Sequence, residues 1–272
     1  MRYLRSLIQH TTTAGMAFAY LVSAASAETA QPAASAKDLA AALSAVQSGM
    51  AYVRLRMEVK AGGSSKDVLQ LQLKQRRSNG DADLVCQVLW PQERKGQGVL
   101  LHQAAGRSSG TLFTPPDKIQ SLAGSQLRDS FFGTDLSYAD LVEDFFAWEN
   151  QSIVGNEPIN GVNCVILESK PGKNDSSIYT SVRTWVDTHR NVALRVEKYF
   201  SPGSVGRRIE TTRVATDDRG HAIPANLTVH GPRGDTVTEV DGSRIRHDVS
   251  FSESDLSIEG LKQITGPRGA SE

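Results

Sequence analysis

Between residues 52 and 251 the chain is written almost throughout in short runs of alternating apolar and polar side chains. A period of two permits strands with one buried face and little else. In residues 52–59, Val53, Leu55, Met57 and Val59 alternate with Tyr52, Arg54, Arg56 and Glu58. Leu69, Leu71 and Leu73 alternate with Gln70, Gln72 and Lys74 after a Gly62-Gly63-Ser64-Ser65 turn. Further strands are read at residues 84–90, 98–103 and 111–114, then at 147–154, 162–169, 179–186, 192–200, 207–215, 223–229, 236–240 and 245–251. Short polar turns join them, so the first four form an antiparallel meander. With no alternation of strand and helix, doubly wound and barrel α/β folds are excluded.

Two segments keep a helical period instead. Ser35 and Asp38 have the spacing of a capping box, and Leu39, Leu43, Val46 and Met50 follow at helical intervals. Tyr138, Leu141, Val142 and Phe145 lie three or four apart, with Asp140, Glu143 and Asp144 assigned to a solvated face. A large curved antiparallel sheet and a β-sandwich both remain compatible with the strands. The two amphipathic helices favour the curved sheet, because they can cover its concave apolar face.

The N-terminus reads as an address. Arg2 and Arg5 precede an apolar run at residues 14–22 and the small-x-small triplet Ala25-Ser26-Ala27, the pattern of a cleavable secretory signal over residues 1–27. The uncharged stretch 14–27 is shorter than the ~20 residues of a spanning helix. An Ala/Pro-rich tether (28–36), a single domain (37–264) and a disordered tail (265–272) complete the expected organisation.

Charge and motifs then narrow the function classes. Thirty basic residues balance thirty acidic ones, and nucleic-acid binding draws on an excess of basic side chains. His102, His189, His221, His230 and His247 are scattered, so a metal site would need convergence over long range. Neither a glycine-rich phosphate loop nor a Gly-x-Ser-x-Gly elbow occurs. Gly133, Thr134, Asp135, Ser137 and Asp140 read as helix capping rather than Ser/Asp catalysis. The expectation is therefore a protein without enzymatic activity, cofactor or metal. Cys86 and Cys164 are compatible with a disulfide in an exporting compartment or with two inert buried thiols.

The exported helix-then-meander start, the Phe113-Thr114-Pro115-Pro116 turn and the string from Ser130 to Leu141 together resemble the outer-membrane lipoprotein-sorting proteins, relatives of the periplasmic carrier LolA. Within that string Phe131, Gly133, Thr134, Asp135, Ser137, Tyr138 and Asp140 match the family motif. The resemblance covers roughly residues 37–258 and implies a mainly β fold, an unclosed, strongly curved antiparallel barrel with helices over its concave face. It implies a monomeric periplasmic carrier that holds a lipoprotein acyl chain or another lipid, taken from an inner-membrane transporter and passed to an outer-membrane acceptor. A sensor or an accessory of an inner-membrane transporter of the RND type or of a lipid transporter is the alternative implied function. The residues expected to line the cleft and its lid are Val53, Leu55, Met57, Leu69, Leu71, Leu73, Phe131, Phe132, Tyr138, Leu141 and Phe145. Plain core would show the same period. The carrier's Lys-Arg-Pro turn is replaced here by Lys74-Gln75-Arg76-Arg77-Ser78-Asn79, which leaves Arg76 and Arg77 as equal candidates for its functional arginine.

Overall fold

Ser35 does begin a helix. Its Oγ accepts from the Asp38 backbone N–H while the Asp38 carboxylate accepts from Ser35 N, and helix α1 runs Ala36–Gln47. The computed structural model describes residues 35–267 apart from 174 and 248. The expected signal peptide and nearly all of the tether therefore lie outside the described residues.

Strands β1 (Gly49–Ala61), β2 (Ser64–Ser78), β3 (Asp81–Trp90), β4 (Gly98–Ala104), β5 (Arg107–Thr114) and β6 (Lys118–Leu122) form an antiparallel meander. After a long connection come β7 (Asn150–Ile159), β8 (Val162–Lys170), β9 (Ser181–Asp187), β10 (Val192–Ser201), β11 (Ser204–Thr216), β12 (Ala222–His230) and β13 (Thr236–Arg246). The last of these pairs with β1, giving one sheet in the order β6-β5-β4-β3-β2-β1-β13-β12-β11-β10-β9-β8-β7. The sheet is antiparallel and unclosed, with β6 and β7 as its two edges. Tight turns join neighbouring strands in both arms of the sheet. Asn79-Gly80 and Asn160-Gly161 both take positive φ at two successive positions, the geometry whose twist matches flanking strands.

Several boundaries differ from the sequence reading. Residues 118–122, expected as linker, form the edge strand β6, and the two strands expected at 236–251 are one strand, β13, with a bulge opposite Arg54 and Leu55. The second helix is only α2, Tyr138–Val142, followed by a 3₁₀ turn at Phe145–Ala147. Near the C-terminus a 3₁₀ turn (Glu253–Leu256) and α3 (Ile258–Lys262) were not foreseen. They cover the second face of β2–β5: Leu256 and Leu261 pack with Val85 and Phe113. Gln87 Nε2 donates to the carbonyls of Leu261 (2.9 Å) and Gln263 (3.0 Å), and Lys74 Nζ donates to Thr265 Oγ1 at 2.6 Å. Thr265, assigned to the tail from sequence, is thus anchored to β2. These buried polar groups are hydrogen-bonded, as burial requires.

The cysteines do not form a disulfide. Cys86 and Cys164 are free and buried, in separate apolar clusters on opposite arms of the sheet. Burial raises both thiol pKa values, which keeps them protonated and unreactive. Among the described residues no helix is long and apolar enough to cross a membrane.

Candidate functional site

The connection between the two sheet edges, residues 123–149, is the most informative part of the molecule. It crosses from β6 to β7, and its apolar side chains enter the main core. Phe131 (0% exposed), Leu136, Tyr138 and Val142 pack against Met57, Leu69, Leu71 and Leu73 of β1 and β2, and against Val229 and Val240 of β12 and β13. Phe131, Phe132 and Tyr138 meet as an aromatic trio, the Phe131 and Phe132 ring centroids 4.6 Å apart.

The motif residues hold this segment in place. Phe132 and Gly133 have φ of 48° and 90°, so the chain reverses tightly just before the helix. Gly133 supplies a conformation that other residues reach only at a cost. Thr134 Oγ1 donates to the Phe131 carbonyl at 2.7 Å. The Asp135 carboxylate accepts from Thr236 Oγ1 (2.7 Å) and Thr238 Oγ1 (2.8 Å), fixing the reversal to β13. Ser137 and Asp140 form a reciprocal capping box at the start of α2.

Asp140 does more than cap. Its side chain is 1% exposed and accepts from Lys198 Nζ at 2.7 Å and from Tyr179 Oη at 2.9 Å. The Arg207 guanidinium lies 3.0 Å from its other oxygen and also donates to the Asp135 carbonyl at 2.6 Å. Burial by itself would raise the Asp140 pKa, but the Lys198 and Arg207 charges outweigh it and lower the value to about 2. Lys198 lies 5.3 Å and 5.1 Å from the ring centroids of Phe145 and Tyr179, which adds cation–π attraction. The acidic face expected to be solvated is therefore largely buried. Asp140 belongs to this network, Asp144 accepts from Ser44 Oγ of α1 at 2.7 Å, and Glu143 Oε2 is sequestered without a hydrogen-bond partner. Burial pushes the Glu143 pKa up to about 7. Nothing in the sequence marked Lys198 or Arg207, which come from strands far downstream of Asp140.

The two candidate arginines have different fates. Arg76 pairs with Asp83 at 2.7 Å and Glu253 at 2.5 Å. Arg77 turns towards α2, donating to the carbonyls of Leu141 (2.5 Å) and Val142 (3.1 Å), where a helix end leaves acceptors free.

A cavity of about 300 Å³ remains beside this packed region, between α1 and the inner face of the sheet. Leu43 and Val46 of α1, Phe146, Val192, Ala193, Ile223, Leu227 and Ile245 supply its apolar wall, with Arg77 and His247 among its few polar neighbours. That volume lies at the lower end of the ~300–1,000 Å³ typical of ligand pockets. Helix α1 forms its roof and is held by few contacts. Leu39, Ala40 and Leu43 pack on Phe146, Leu167 and Val186, Ser44 bonds Asp144, and Arg219 bonds the carbonyls of Val46 and Ser48. Of the residues expected to line the cleft, Val53 alone borders this cavity. Leu55, Phe132 and Leu141 flank the main core, and Phe145 packs beside α1. The crossing connection fills the space they face, and periodicity could not reveal this. The wall contributed by β10, β12 and β13 was missed from sequence, because an inward strand residue reads alike over a cavity or a solid core.

Comparison with known proteins places this geometry. A family model described as an uncharacterized protein matches residues 80–263. A DUF1329 family protein from Desulfovibrio piger superposes with a TM-score of 0.75 at 22% identity, over 83% of this chain and 97% of that one. A putative outer membrane lipoprotein-sorting protein domain from Vibrio parahaemolyticus gives 0.72 at 19%, over 82% and 97%. The LolA superfamily protein NE2245 from Nitrosomonas europaea gives 0.67 at 14%, over 83% and 99%. At these identities the superpositions establish the fold. No curated protein sequence matches the chain.

Proposed function

The chain belongs to the family of uncharacterized proteins whose model spans residues 80–263, and its fold is that of the LolA-like lipoprotein-sorting proteins; on that premise we propose that it is a periplasmic carrier that shelters a lipid or lipoprotein acyl chain beneath α1. The observation that carries this reading is the apolar cavity between α1 and the sheet. Burying about eight methylenes there contributes about 6 kcal/mol before ordering costs, at ~0.8 kcal/mol each. This is ample for a cargo that must later be released. The roof suits that task, since an isolated helix of 12 residues is marginal in water and holds its place by side-chain contacts that can be exchanged. In this reading the signal peptide directs export, no catalytic group takes part, and an inner-membrane donor and an outer-membrane acceptor flank the carrier. Phe146 and Arg77 stand where the cavity meets the α2 connection, so a cargo longer than the cavity extends by displacing the lid towards Phe145 and Leu141.

The test is native mass spectrometry of protein taken from its own periplasm, with extraction of bound lipid. A co-purifying acylated species, together with loss of fluorescent fatty-acid binding in Ala193→Phe, is the expected result. Ala193 borders the cavity, and the larger side chain fills it. A folded wild-type protein that neither carries lipid nor binds the probe overturns the reading.

A further inference from the structure

The turn between β11 and β12 meets the end of β13 in a cluster of carboxylate and imidazole groups that the carrier reading does not use. Asp217, Asp218 and His247 each present a ligand atom, and these atoms lie within 4.8 Å of one another. The Asp217 side chain is 0% exposed. Its Oδ1 accepts the backbone N–H groups of Arg219 and His221, whereas Oδ2 is buried and has no hydrogen-bond partner. Around that oxygen stand His247 Nδ1 at 3.6 Å and His221 Nδ1 at 3.7 Å. Both separations are too long for a hydrogen bond. They are close to the roughly 3.4 Å that separates two ligands of a tetrahedral ion with bonds of about 2.0–2.2 Å.

We propose that Asp217, Asp218 and His247 bind a divalent transition-metal ion, for which Zn²⁺ is the best chemical match, and that the half-exposed His221, now beside Asp217 alone, swings in as the fourth donor. Imidazole with carboxylate is a borderline donor set that suits Zn²⁺, whereas Mg²⁺ and Ca²⁺ take oxygen ligands alone. The orphaned Oδ2 of Asp217 becomes a ligand instead of a buried acceptor left unmet. Asp218 Oδ1 now lies 2.5 Å from His247 Nδ1, so that contact opens by about 1 Å to admit the ion. Asp218 sits on an exposed turn that can make this adjustment. The Arg219 guanidinium, 3.6 Å from the same Oδ2, opposes the added charge and sets affinity below that of a closed structural zinc site. Arg219 also donates to the carbonyls of Val46 and Ser48 at the end of α1, and His247 borders the cavity. The ion would thus staple two hairpin elements directly beside the roof helix.

The site is tested on untagged protein stripped with chelator and titrated with Co²⁺ and then Zn²⁺. One Co²⁺ per chain with the intense visible bands of tetrahedral coordination, displaced by Zn²⁺ at micromolar concentration, is expected. Altering even an outer partner of a metal ligand costs about 10–100-fold in affinity, so His247→Ala and His221→Ala should each weaken Zn²⁺ binding by about tenfold or more. His221 is half-exposed, so its variant keeps the test valid if His247→Ala fails to fold. His102→Ala, at a separate pair with Asp83, should leave affinity unchanged. Binding only at millimolar Zn²⁺, an octahedral Co²⁺ spectrum, or equal affinity in folded wild type and His221→Ala overturns the proposal. The readout is independent of lipid binding.

Discussion

Replacing Asp140 by Asn keeps the size of the side chain and removes the charge shared by two cations. Lys198 and Arg207 are 2% and 6% exposed, so neither can recover its hydration in place. Removing one partner of a buried pair costs about 3–5 kcal/mol. The depressed pKa gives a second route to the same quantity. A fall from 3.8 to about 2 corresponds to about 2.5 kcal/mol at about 1.36 kcal/mol per pH unit. We therefore expect Asp140→Asn to lose about 3 kcal/mol at neutral pH, a Tm fall of roughly 6–12 °C for a chain of this size. Urea unfolding with an unchanged slope would report it. The sign of the pH dependence follows from the direction of the shift. A carboxylate whose folded pKa lies below its unfolded value contributes fully above about pH 4, and the contribution disappears as pH falls through about 2. The gap between wild type and Asp140→Asn should narrow across that window. Adding Lys198→Met to the variant removes one stranded cation and should restore part of the loss. The reasoning fails if Asp140→Asn lies within about 0.5 kcal/mol of wild type, the range of an ordinary surface change, or if the gap persists in acid.

Glu143 carries the opposite shift. Its pKa, raised to about 7, favours the neutral form in the fold, so its contribution is present below about pH 4.5 and lost as pH rises through 7. Glu143→Gln should flatten stability between pH 5 and 8 and be the more stable protein at pH 8, as thermal unfolding across that range will show. Arg77→Met deprives the carbonyls of Leu141 and Val142 of a charged donor and should cost about 1.5–3 kcal/mol in urea unfolding. Gly133→Ala meets no atom within 4 Å, so any loss comes from φ of +90° alone. A loss of about 1–3 kcal/mol is expected, and a neutral substitution contradicts the role given to this turn.

Local features were legible in the sequence. Alternation in residues 52–59 gave β1 and the Ser35 and Asp38 spacing gave the start of α1, because each depends on backbone geometry and near neighbours. The string from Phe131 to Asp140 announced the fold, and its Gly133 turn and Ser137 cap followed from local rules. The site was much less legible. Leu69 and Leu71 alternate just as a cavity wall would, yet the crossing connection packs them solid, while Ala193 and Ile223 border open space. Asp140 looked like one charge on a wet helix face, since its partners Lys198 and Arg207 come from strands far along the chain. Cys86 and Cys164 stay apart for the same reason, on arms of the sheet whose order no local pattern encodes.

Sequence by itself determined that this chain makes a strand-rich sheet with amphipathic helices, because a period of two is a property of the backbone and solvent acts on every strand alike. Tertiary structure alone decided which apolar face is filled and which is left open, which charges are buried in pairs, and which histidines and carboxylates meet. Those outcomes depend on one connection crossing the concave face and on β13 closing against β1. Their free energies arise from contacts between segments that share no local signal.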